Sequence, residues 1–182
     1  MIILASGSET RAKILKRFGV PFRQIGCDFD EERIETDDPK SFVYRATMGK
    51  YEACIAKLGR ELPILVADTV VTAENRILRK AKDEADARRI LKLQSGNEVS
   101  ILTCMVYESR KLRLVDLSAT LYRFAPFEEE AIERYIKSGE WRGKAGACMV
   151  EGFCKPYIRE VRGLESTAMG LSIEKLLPFM EK

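Results

Sequence analysis

Residues 2–11, Ile-Ile-Leu-Ala-Ser-Gly-Ser-Glu-Thr-Arg, join an apolar run to a small, hydroxyl-rich turn and the start of a helical pattern. This order predicts a strand that leads directly into a helix N-terminus, where free backbone N–H groups and the positive end of the helix dipole attract an anion. Ser6 and Ser8 add hydroxyl groups, and Gly7 allows a ligand to approach the backbone closely. Arg11 adds a planar cation on the first turn. The stretch predicts a phosphate-binding turn, against the plainer alternative of an ordinary capped helix.

The composition indicates one globular domain over residues 1–182, since 46% of the residues are hydrophobic, enough for an ordinary core. The net charge of +3 favours acidic small molecules slightly and gives no support for nucleic acid as a partner. No apolar run approaches the ~20 residues of a membrane span, and no basic segment precedes the opening apolar run. We therefore expect a cytoplasmic protein with no membrane partner.

The chain has no histidine, and this excludes several kinds of chemistry. Ser-His-Asp and Cys-His catalysis and histidine zinc sites are all ruled out. A metal would have to be held by oxygen ligands, which favours Mg²⁺ or Mn²⁺. The five cysteines are odd in number and form no CxxC pair, so we expect reduced, mostly buried thiols rather than a zinc site or disulfides.

Strand and helix patterns alternate along the chain, which predicts an α/β fold. Strands are predicted over 1–5, 21–26, 63–71, 98–107 and 112–124, with a turn and a short strand within 73–78. Helices are predicted over 8–18, 38–58, 83–94, 126–137 and 171–180. The glycine-rich segment 139–166 is predicted to form loops with short strands.

Asp68 and Thr69 lie within the apolar run of residues 63–71, and Thr69 is a candidate substrate-binding residue. A carboxylate in such a strand is costly to bury unless it is paired or binds a metal, so we expect Asp68 to be functional rather than a cap at a strand end. The segment 28–38 carries seven acidic residues, most of which we expect to be solvated. Asp30 and Glu31 are the best candidates to hold a divalent cation together with Asp68.

Three lysines and one aromatic residue are further candidates for a ligand site. Lys80 and Lys144 lie in irregular segments and are candidate phosphate contacts, whereas Lys50 lies within a predicted helix and is a weaker candidate from spacing alone. Trp141 lies in a glycine-rich loop, where it is predicted either to stack on a base, with Glu151 accepting hydrogen bonds from the base edge, or to pack into the core.

These motifs, taken together and in order, resemble the Maf family of nucleoside triphosphate pyrophosphatases. The resemblance covers nearly the whole chain. It matches Leu4–Arg11 to L-A-S-x-S-P-R-R, Ala67–Val71 to A-D-T-V-V, Arg79–Ala81 to G-K-P, Leu93–Gly96 to L-S-G, and Tyr135–Gly146 to Y-x-x-x-G-E-W-x-G-x-A-G.

The resemblance implies an elongated mixed central sheet flanked by helices, two lobes around a cleft, and often a homodimer. It implies hydrolysis of a nucleoside triphosphate to a monophosphate and pyrophosphate with Mg²⁺ or Mn²⁺. By position, Ser8, Arg11, Lys50 and Lys80 would contact the phosphates. Asp68 would bind the metal or act as a base toward water, and Glu31 or Glu32 would supply a further acidic ligand.

The pair Glu151-Gly152, with Trp141, resembles the branch of the family that acts on 7-methyl-GTP, whereas a Gln-Gly pair marks the branch that prefers dTTP and UTP. The chain departs from the family at Glu9-Thr10, which stands in place of Pro-Arg, and around Lys80, which has lost the flanking Gly and Pro. Two alternatives follow: a nucleotide-binding regulatory module in cell-division control with weak catalysis, and a general phosphatase that releases orthophosphate.

Overall fold

The computed structural model describes residues 1–180, except for the side chain of Glu32. The strands are β1 (Ile2–Leu4), β2 (Phe22–Gln24), β3 (Ile64–Ala73), β4 (Arg76–Leu78), β5 (Glu98–Glu108), β6 (Arg113–Phe124) and β7 (Ile158–Arg162). The helices are α1 (Glu9–Arg17), α2 (Pro39–Leu58), α3 (Glu84–Gln94), α4 (Glu129–Ser138), α5 (Glu165–Ala168) and α6 (Ile173–Leu176). Short 3-10 turns cover Glu31–Arg33, Lys155–Tyr157 and Leu177–Phe179.

The strands form one seven-stranded sheet in the order β2-β1-β3-β5-β6-β7, with β4 paired to β3. Strand β1 is parallel to both β2 and β3, whereas the β3–β4 and β6–β7 pairs are antiparallel. The predicted α/β class, with a mixed central sheet flanked by helices, is therefore confirmed. Over residues 1–180, no helix combines the length and the apolar character needed to cross a membrane.

The chain divides into two compact units. The first unit contains Met1–Thr69, Leu102–Ser118 and the chain from Leu164 onward; the second contains Val70–Ile101 and Ala119–Gly163. The prediction of one domain over 1–182, with two lobes around a cleft, stays a prediction.

The core of the first unit forms around the opening strand and helix. Leu4 and Leu15 are fully buried, and they pack with Leu65, Met105 and Ile173. The helix begins as predicted, because the hydroxyl of Ser8 accepts a hydrogen bond from the backbone N–H of Arg11 at 3.3 Å. The strand-turn-helix order of residues 2–11 is thus confirmed.

An aromatic cluster forms part of the second unit. The rings of Tyr135 and Phe153 stack with their centroids 4.5 Å apart, and Phe127 contacts both Phe153 and Tyr157. Gly146 has a positive φ of 68° and lies against Val71, so that a β-carbon at Gly146 would meet the Val71 side chain at 3.0 Å. The glycine-rich loop therefore packs tightly at this point.

Two predicted helices are shorter than expected, the second of them because of a proline. The helix predicted over 126–137 begins at Glu129, so that Pro126 lies outside it. The helix predicted over 171–180 is instead the single turn α6 followed by a 3-10 turn at Leu177–Phe179, because Pro178 has no N–H to continue the α-helical pattern.

The expectation of five reduced cysteines is wrong for one pair. Cys27 and Cys54 form a disulfide with their Cα atoms 5.5 Å apart, a separation that the sequence pattern does not reveal. Cys104, Cys148 and Cys154 are free thiols. Burial raises the pKa of Cys104 to about 11, and a hydrogen bond with the Cys148 thiol, together with burial, raises the pKa of Cys154. Cys104 and Cys154 are therefore poor nucleophiles near neutral pH.

We expect unfolded, unreduced protein to show three reactive thiols, and five after treatment with dithiothreitol. The measurement is a thiol titration in guanidinium chloride, followed by peptide mapping to locate the linked pair. A Cys54→Ser variant is the control, since it should show four thiols with or without reductant. Five thiols in the unreduced wild type would contradict the disulfide.

Candidate functional site

A lysine shared between two carboxylates forms the centre of the candidate site. Lys50 Nζ donates to Asp68 Oδ2 at 2.7 Å and to Glu31 Oε1 at 2.5 Å. The other oxygen of Asp68, Oδ1, accepts a hydrogen bond from the backbone N–H of Thr69 at 2.9 Å. The Asp68 side chain is 13% exposed and that of Lys50 21%, so solvent screens this pair less than a surface ion pair. Lys50 therefore supplies the charged partner of the largely buried Asp68, and the functional role of Asp68 stays a prediction.

Helix α2 positions both Lys50 and the loop that carries Glu31. The ring of Phe29 lies so close to Gly49 that a β-carbon at that position would overlap the ring atoms. The disulfide from Cys27 reaches α2 at Cys54, one turn beyond Lys50. These two attachments hold the loop on the helix on either side of Lys50, and the loop therefore presents Glu31 to the lysine.

The sequence does not decide whether Asp30 or Glu31 lies near Asp68, and the structure separates these two residues. Asp30 pairs with Arg33 at 3.2 Å, and both side chains are more than half exposed. Glu31, in contrast, shares Lys50 with Asp68. Of Asp30 and Glu31, Glu31 is therefore the one that the fold brings to Asp68. Glu32 was predicted as a metal ligand, and its side chain lies outside the described residues.

Arg11 is fixed in the opening turn by three acceptors. Its Nη1 donates to the Ser6 hydroxyl at 3.0 Å, its Nε to the Gly170 carbonyl at 2.8 Å, and its Nη2 to the Thr69 hydroxyl at 3.1 Å. Burial lowers the pKa of Arg11, while the nearby carboxylates of Asp68 and Glu31 act in the opposite direction. An arginine with so high an intrinsic pKa stays charged, so the turn carries a fixed and oriented cation.

The other residues of the turn cap the helix and leave the backbone at Gly7 accessible to solvent. The hydroxyl of Ser6 accepts from the backbone N–H of Ser8 at 3.2 Å, and the hydroxyl of Ser8 caps α1. Gly7 is exposed, with no neighbour within 4 Å of a β-carbon built on it. Gln24 donates to the carbonyl of Ser6 at 2.8 Å. The turn is ordered by its own hydrogen bonds and is accessible at Gly7. The capped helix is therefore observed, and the phosphate-binding role of the turn stays a prediction.

The other predicted site residues belong to the second unit. Lys80 is exposed and forms an isolated antiparallel bridge with Ala145, so its segment lies beside that of Lys144. Lys144 Nζ lies 5.9 Å from the centre of the Tyr135 ring. Glu151 is exposed. The fold thus brings together two segments, one with Lys80 and one with Lys144, that the sequence shows far apart.

The stacking role predicted for Trp141 is not supported, because the residue is only 3% exposed. Its indole N–H donates to the carbonyl of Ile136 at 3.1 Å, and the guanidinium of Arg142 lies 4.7 Å from the ring centre. These contacts leave almost no ring surface for a base. Trp141 packs as a core residue beneath the loop, which is the alternative that the sequence also allowed.

The donor set of the site fits a divalent cation only in part. Among residues 1–180 without the Glu32 side chain, no group of three or more His, Cys, Asp or Glu side chains is arranged to hold a metal. Asp68 and Glu31 offer hard carboxylate oxygens, and Mg²⁺ commonly uses one or two carboxylates and completes its shell with water and substrate phosphate oxygens. The site therefore fits Mg²⁺ or Mn²⁺ if substrate oxygens complete the coordination.

Gly170 and Thr103 contact the site residues, although no sequence pattern pointed to them. Gly170 supplies the carbonyl that holds Arg11 Nε, and its φ of 99° is strained for any residue with a β-carbon. Thr103 lies in the buried part of β5, where its hydroxyl contacts that of Thr69 at 2.9 Å.

The whole chain, residues 1–182, matches the protein-family model described as Maf-like protein. A nucleoside triphosphate pyrophosphatase of a Nitratiruptor species is 58% identical over 178 residues, covering 97% of this chain and 96% of its own. A protein of the same name from Helicobacter pylori (strain J99 / ATCC 700824) is 43% identical, covering 97% of this chain and 93% of its own. The solved structure of the Staphylococcus aureus Ham1 protein aligns with a TM-score of 0.47 and 17% identity over 68% of this chain and 71% of that chain, too distant to bear on function.

Gly170→Ala should destabilise the protein, because the new methyl group would meet Arg11 Nε and Thr69 Oγ1 at 3.2 Å in a backbone conformation strained for alanine. We expect a loss of about 1–3 kcal/mol in the free energy of unfolding, measured by urea denaturation. Gly7→Ala is the matched control, because its β-carbon would meet nothing within 4 Å, and its effect should stay within about 0.5 kcal/mol. Equal free energies of unfolding for the two variants would contradict the close packing of Gly170 against Arg11 and Thr69.

Proposed function

The chain belongs to the Maf family, and on that premise we propose that it hydrolyses a nucleoside triphosphate between the α- and β-phosphates, releasing the monophosphate and pyrophosphate. The observation that carries the proposal is the pairing of Lys50 with Asp68 and Glu31 in the same unit as the fixed guanidinium of Arg11. Phosphoryl transfer depends mainly on positioning and charge neutralisation, and these residues supply both.

Arg11 is suited to bind phosphate oxygens. Three of its five N–H groups, one each on Nε, Nη1 and Nη2, donate to described residues and hold the side chain in place. One further N–H on Nη1 and one on Nη2 are not used by these three bonds. A planar donor pair of this kind matches two oxygens of a phosphate group. Orientation before binding reduces the entropy lost when the phosphate is held.

Asp68 is suited to take the proton of the attacking water. The backbone N–H of Thr69 fixes its Oδ1, and Lys50 fixes its Oδ2, so the carboxylate has a defined orientation. When a triphosphate enters, Lys50 is able to turn from a carboxylate toward a phosphate oxygen and free one Asp68 oxygen for the water. A carboxylate is a sufficient base if the water is activated, and no histidine is required.

The charges of this set predict a need for a divalent cation. Arg11 and Lys50 carry two positive charges, and Asp68 and Glu31 carry two negative charges, so the four side chains balance before any substrate binds. A triphosphate would therefore arrive with its charge uncompensated. A bound divalent cation, held by Asp68 and Glu31, would neutralise phosphate charge and lower the pKa of a coordinated water.

The finer assignment is 7-methyl-GTP, proposed on the resemblance of Glu151-Gly152 to that branch of the family. An exposed carboxylate at Glu151 is compatible with hydrogen bonding to a purine edge. The burial of Trp141 removes one of the supports for this choice, and dTTP or UTP is the alternative. The roles of Lys80 and Lys144 toward phosphate, a homodimeric assembly and a cytoplasmic location stay predictions. The regulatory, non-catalytic alternative is not favoured, because the curated relatives that match nearly the whole chain are named nucleoside triphosphate pyrophosphatases.

Asp68→Asn should lower the rate of pyrophosphate release from nucleotides by at least about a hundredfold, because an amide cannot take up a proton or ligate a cation as a carboxylate does. The matched control is Asp116→Asn, since Asp116 is also a largely buried carboxylate (17% exposed) paired with a lysine, at 3.1 Å from Lys175. The control should keep a near wild-type rate. Undiminished activity of Asp68→Asn would contradict the role of that residue.

A substrate panel with Mg²⁺ or Mn²⁺ tests the finer proposal. We expect 7-methyl-GTP to give a higher kcat/KM than GTP, dTTP or UTP, with pyrophosphate as the measured product. Glu151→Gln should reduce the ratio of kcat/KM for 7-methyl-GTP to that for the other nucleotides, because the amide changes the hydrogen-bonding pattern offered to the base. A higher kcat/KM for dTTP or UTP would place the chain with the other branch and leave the reaction type intact.

A further inference from the structure

A chain of hydroxyl groups lies behind Arg11, within the first unit. Arg11 Nη2 donates to Thr69 Oγ1 at 3.1 Å, Thr69 Oγ1 lies 2.9 Å from Thr103 Oγ1, and Thr103 Oγ1 lies 2.7 Å from the carbonyl oxygen of Thr167. Thr103 is fully buried and Thr167 is 1% exposed, so solvent cannot take the place of either group.

The number of protons in this chain fixes the direction of its hydrogen bonds. The carbonyl oxygen of Thr167 only accepts, so the single hydroxyl proton of Thr103 points to it. Thr103 Oγ1 must then accept the proton of Thr69, and the lone pairs of Thr69 Oγ1 are left to accept from Arg11. Thr69 is a predicted substrate-binding residue, but in this arrangement its only hydroxyl proton is already used within the protein.

We propose that Thr103 is a positioning residue for the hydrolysis of the nucleotide, acting through Thr69 on the orientation of Arg11. The proposal rests on the proposed function, since it concerns how the phosphate-binding cation of that site is held. Thr103 touches neither substrate nor reacting atoms; it fixes which way the Thr69 hydroxyl points and so presents an acceptor to Arg11 Nη2.

The end of the chain of hydroxyl groups is itself held in place. The Thr167 hydroxyl lies 2.8 Å from that of Ser172, and the backbone N–H of Gly170 donates to the Thr167 carbonyl at 3.0 Å. Gly170 in turn offers its own carbonyl to Arg11 Nε. The segment 167–172 therefore holds Arg11 in two ways. The Gly170 carbonyl accepts from Arg11 directly, and the Thr167 carbonyl orients Thr103 and, through it, the Thr69 hydroxyl that accepts from Arg11.

Removal of the Thr103 hydroxyl would leave the Thr69 proton without a buried acceptor and free that hydroxyl to rotate. Arg11 would then lose one of its three fixed acceptors. We expect Thr103→Val to raise the KM for the nucleotide about tenfold with a smaller change in kcat, the size expected when a hydrogen bond to a charged group is lost. Thr103→Ser retains the hydroxyl and should restore KM to near the wild-type value.

The matched control is Thr72→Val. Thr72 is also a buried strand threonine, 7% exposed, whose hydroxyl donates to a backbone carbonyl, that of Ser100, at 3.2 Å. Its replacement removes one buried hydroxyl without touching the chain to Arg11. Thr72→Val should leave KM unchanged, so that an effect confined to Thr103→Val separates positioning from a general loss of a buried hydroxyl.

A second readout does not depend on turnover. The hydrogen-exchange rate of the Arg11 guanidinium, followed by ¹⁵N NMR in substrate-free protein, should rise about tenfold in Thr103→Val and stay at the wild-type rate in Thr103→Ser and Thr72→Val. If the wild type hydrolyses no nucleotide, the proposed function fails and this exchange rate still decides the positioning role.

Folded Thr103→Val protein with wild-type KM and wild-type guanidinium exchange would overturn the proposal. If Thr103→Val does not fold, Thr69→Val interrupts the same chain at the next link and should show the same faster exchange of Arg11. Wild-type exchange in Thr69→Val would then overturn the proposal equally.

Discussion

The ammonium group of Lys50, held between the carboxylates of Asp68 and Glu31, is the interaction on which the candidate site depends. A carboxylate in the apolar strand β3 is costly unless it is paired, and Lys50 is the partner that makes Asp68 tolerable there. The pairing also explains the geometry of α2 and its loop. The contact of Phe29 with Gly49 and the disulfide from Cys27 hold Glu31 at the position where Lys50 can reach it.

Arg11 is also held in a fixed orientation, but by neutral acceptors rather than by carboxylates. Its charge lies near Asp68 and Glu31, but its direct partners are neutral acceptors: the hydroxyls of Ser6 and Thr69 and the carbonyl of Gly170. Neutral acceptors orient a guanidinium without cancelling its charge, so Arg11 stays available to an anion. Glu9-Thr10 stands where the family has a further basic residue in this turn, so in the proposed function Arg11 is the cation of the turn that would bind phosphate.

Local patterns in the sequence were sufficient for the fold class, for the strand-turn-helix of residues 2–11 and for the need of Asp68 for a partner, because each depends on neighbouring residues. Contacts between distant segments were beyond such patterns. Spacing ranked Lys50 below Lys80 and Lys144, and nothing in the sequence linked Cys27 to Cys54 or Thr103 to Arg11. The burial of Trp141 was also not predictable from local sequence, since a tryptophan in a glycine-rich loop has the same neighbours in sequence whether it is buried or exposed. Only the packing around Ile136 and Arg142 decides between the two.

The identity of the reaction products tests the central claim most directly. ³¹P NMR of a wild-type reaction with a nucleoside triphosphate and Mg²⁺ or Mn²⁺ resolves the monophosphate, diphosphate, pyrophosphate and orthophosphate in one spectrum. A site that cleaves between the α- and β-phosphates should give monophosphate and pyrophosphate in equal amounts, with no diphosphate at any time. Accumulation of diphosphate with orthophosphate would contradict the account, because it would mean that the chain removes the terminal phosphate instead.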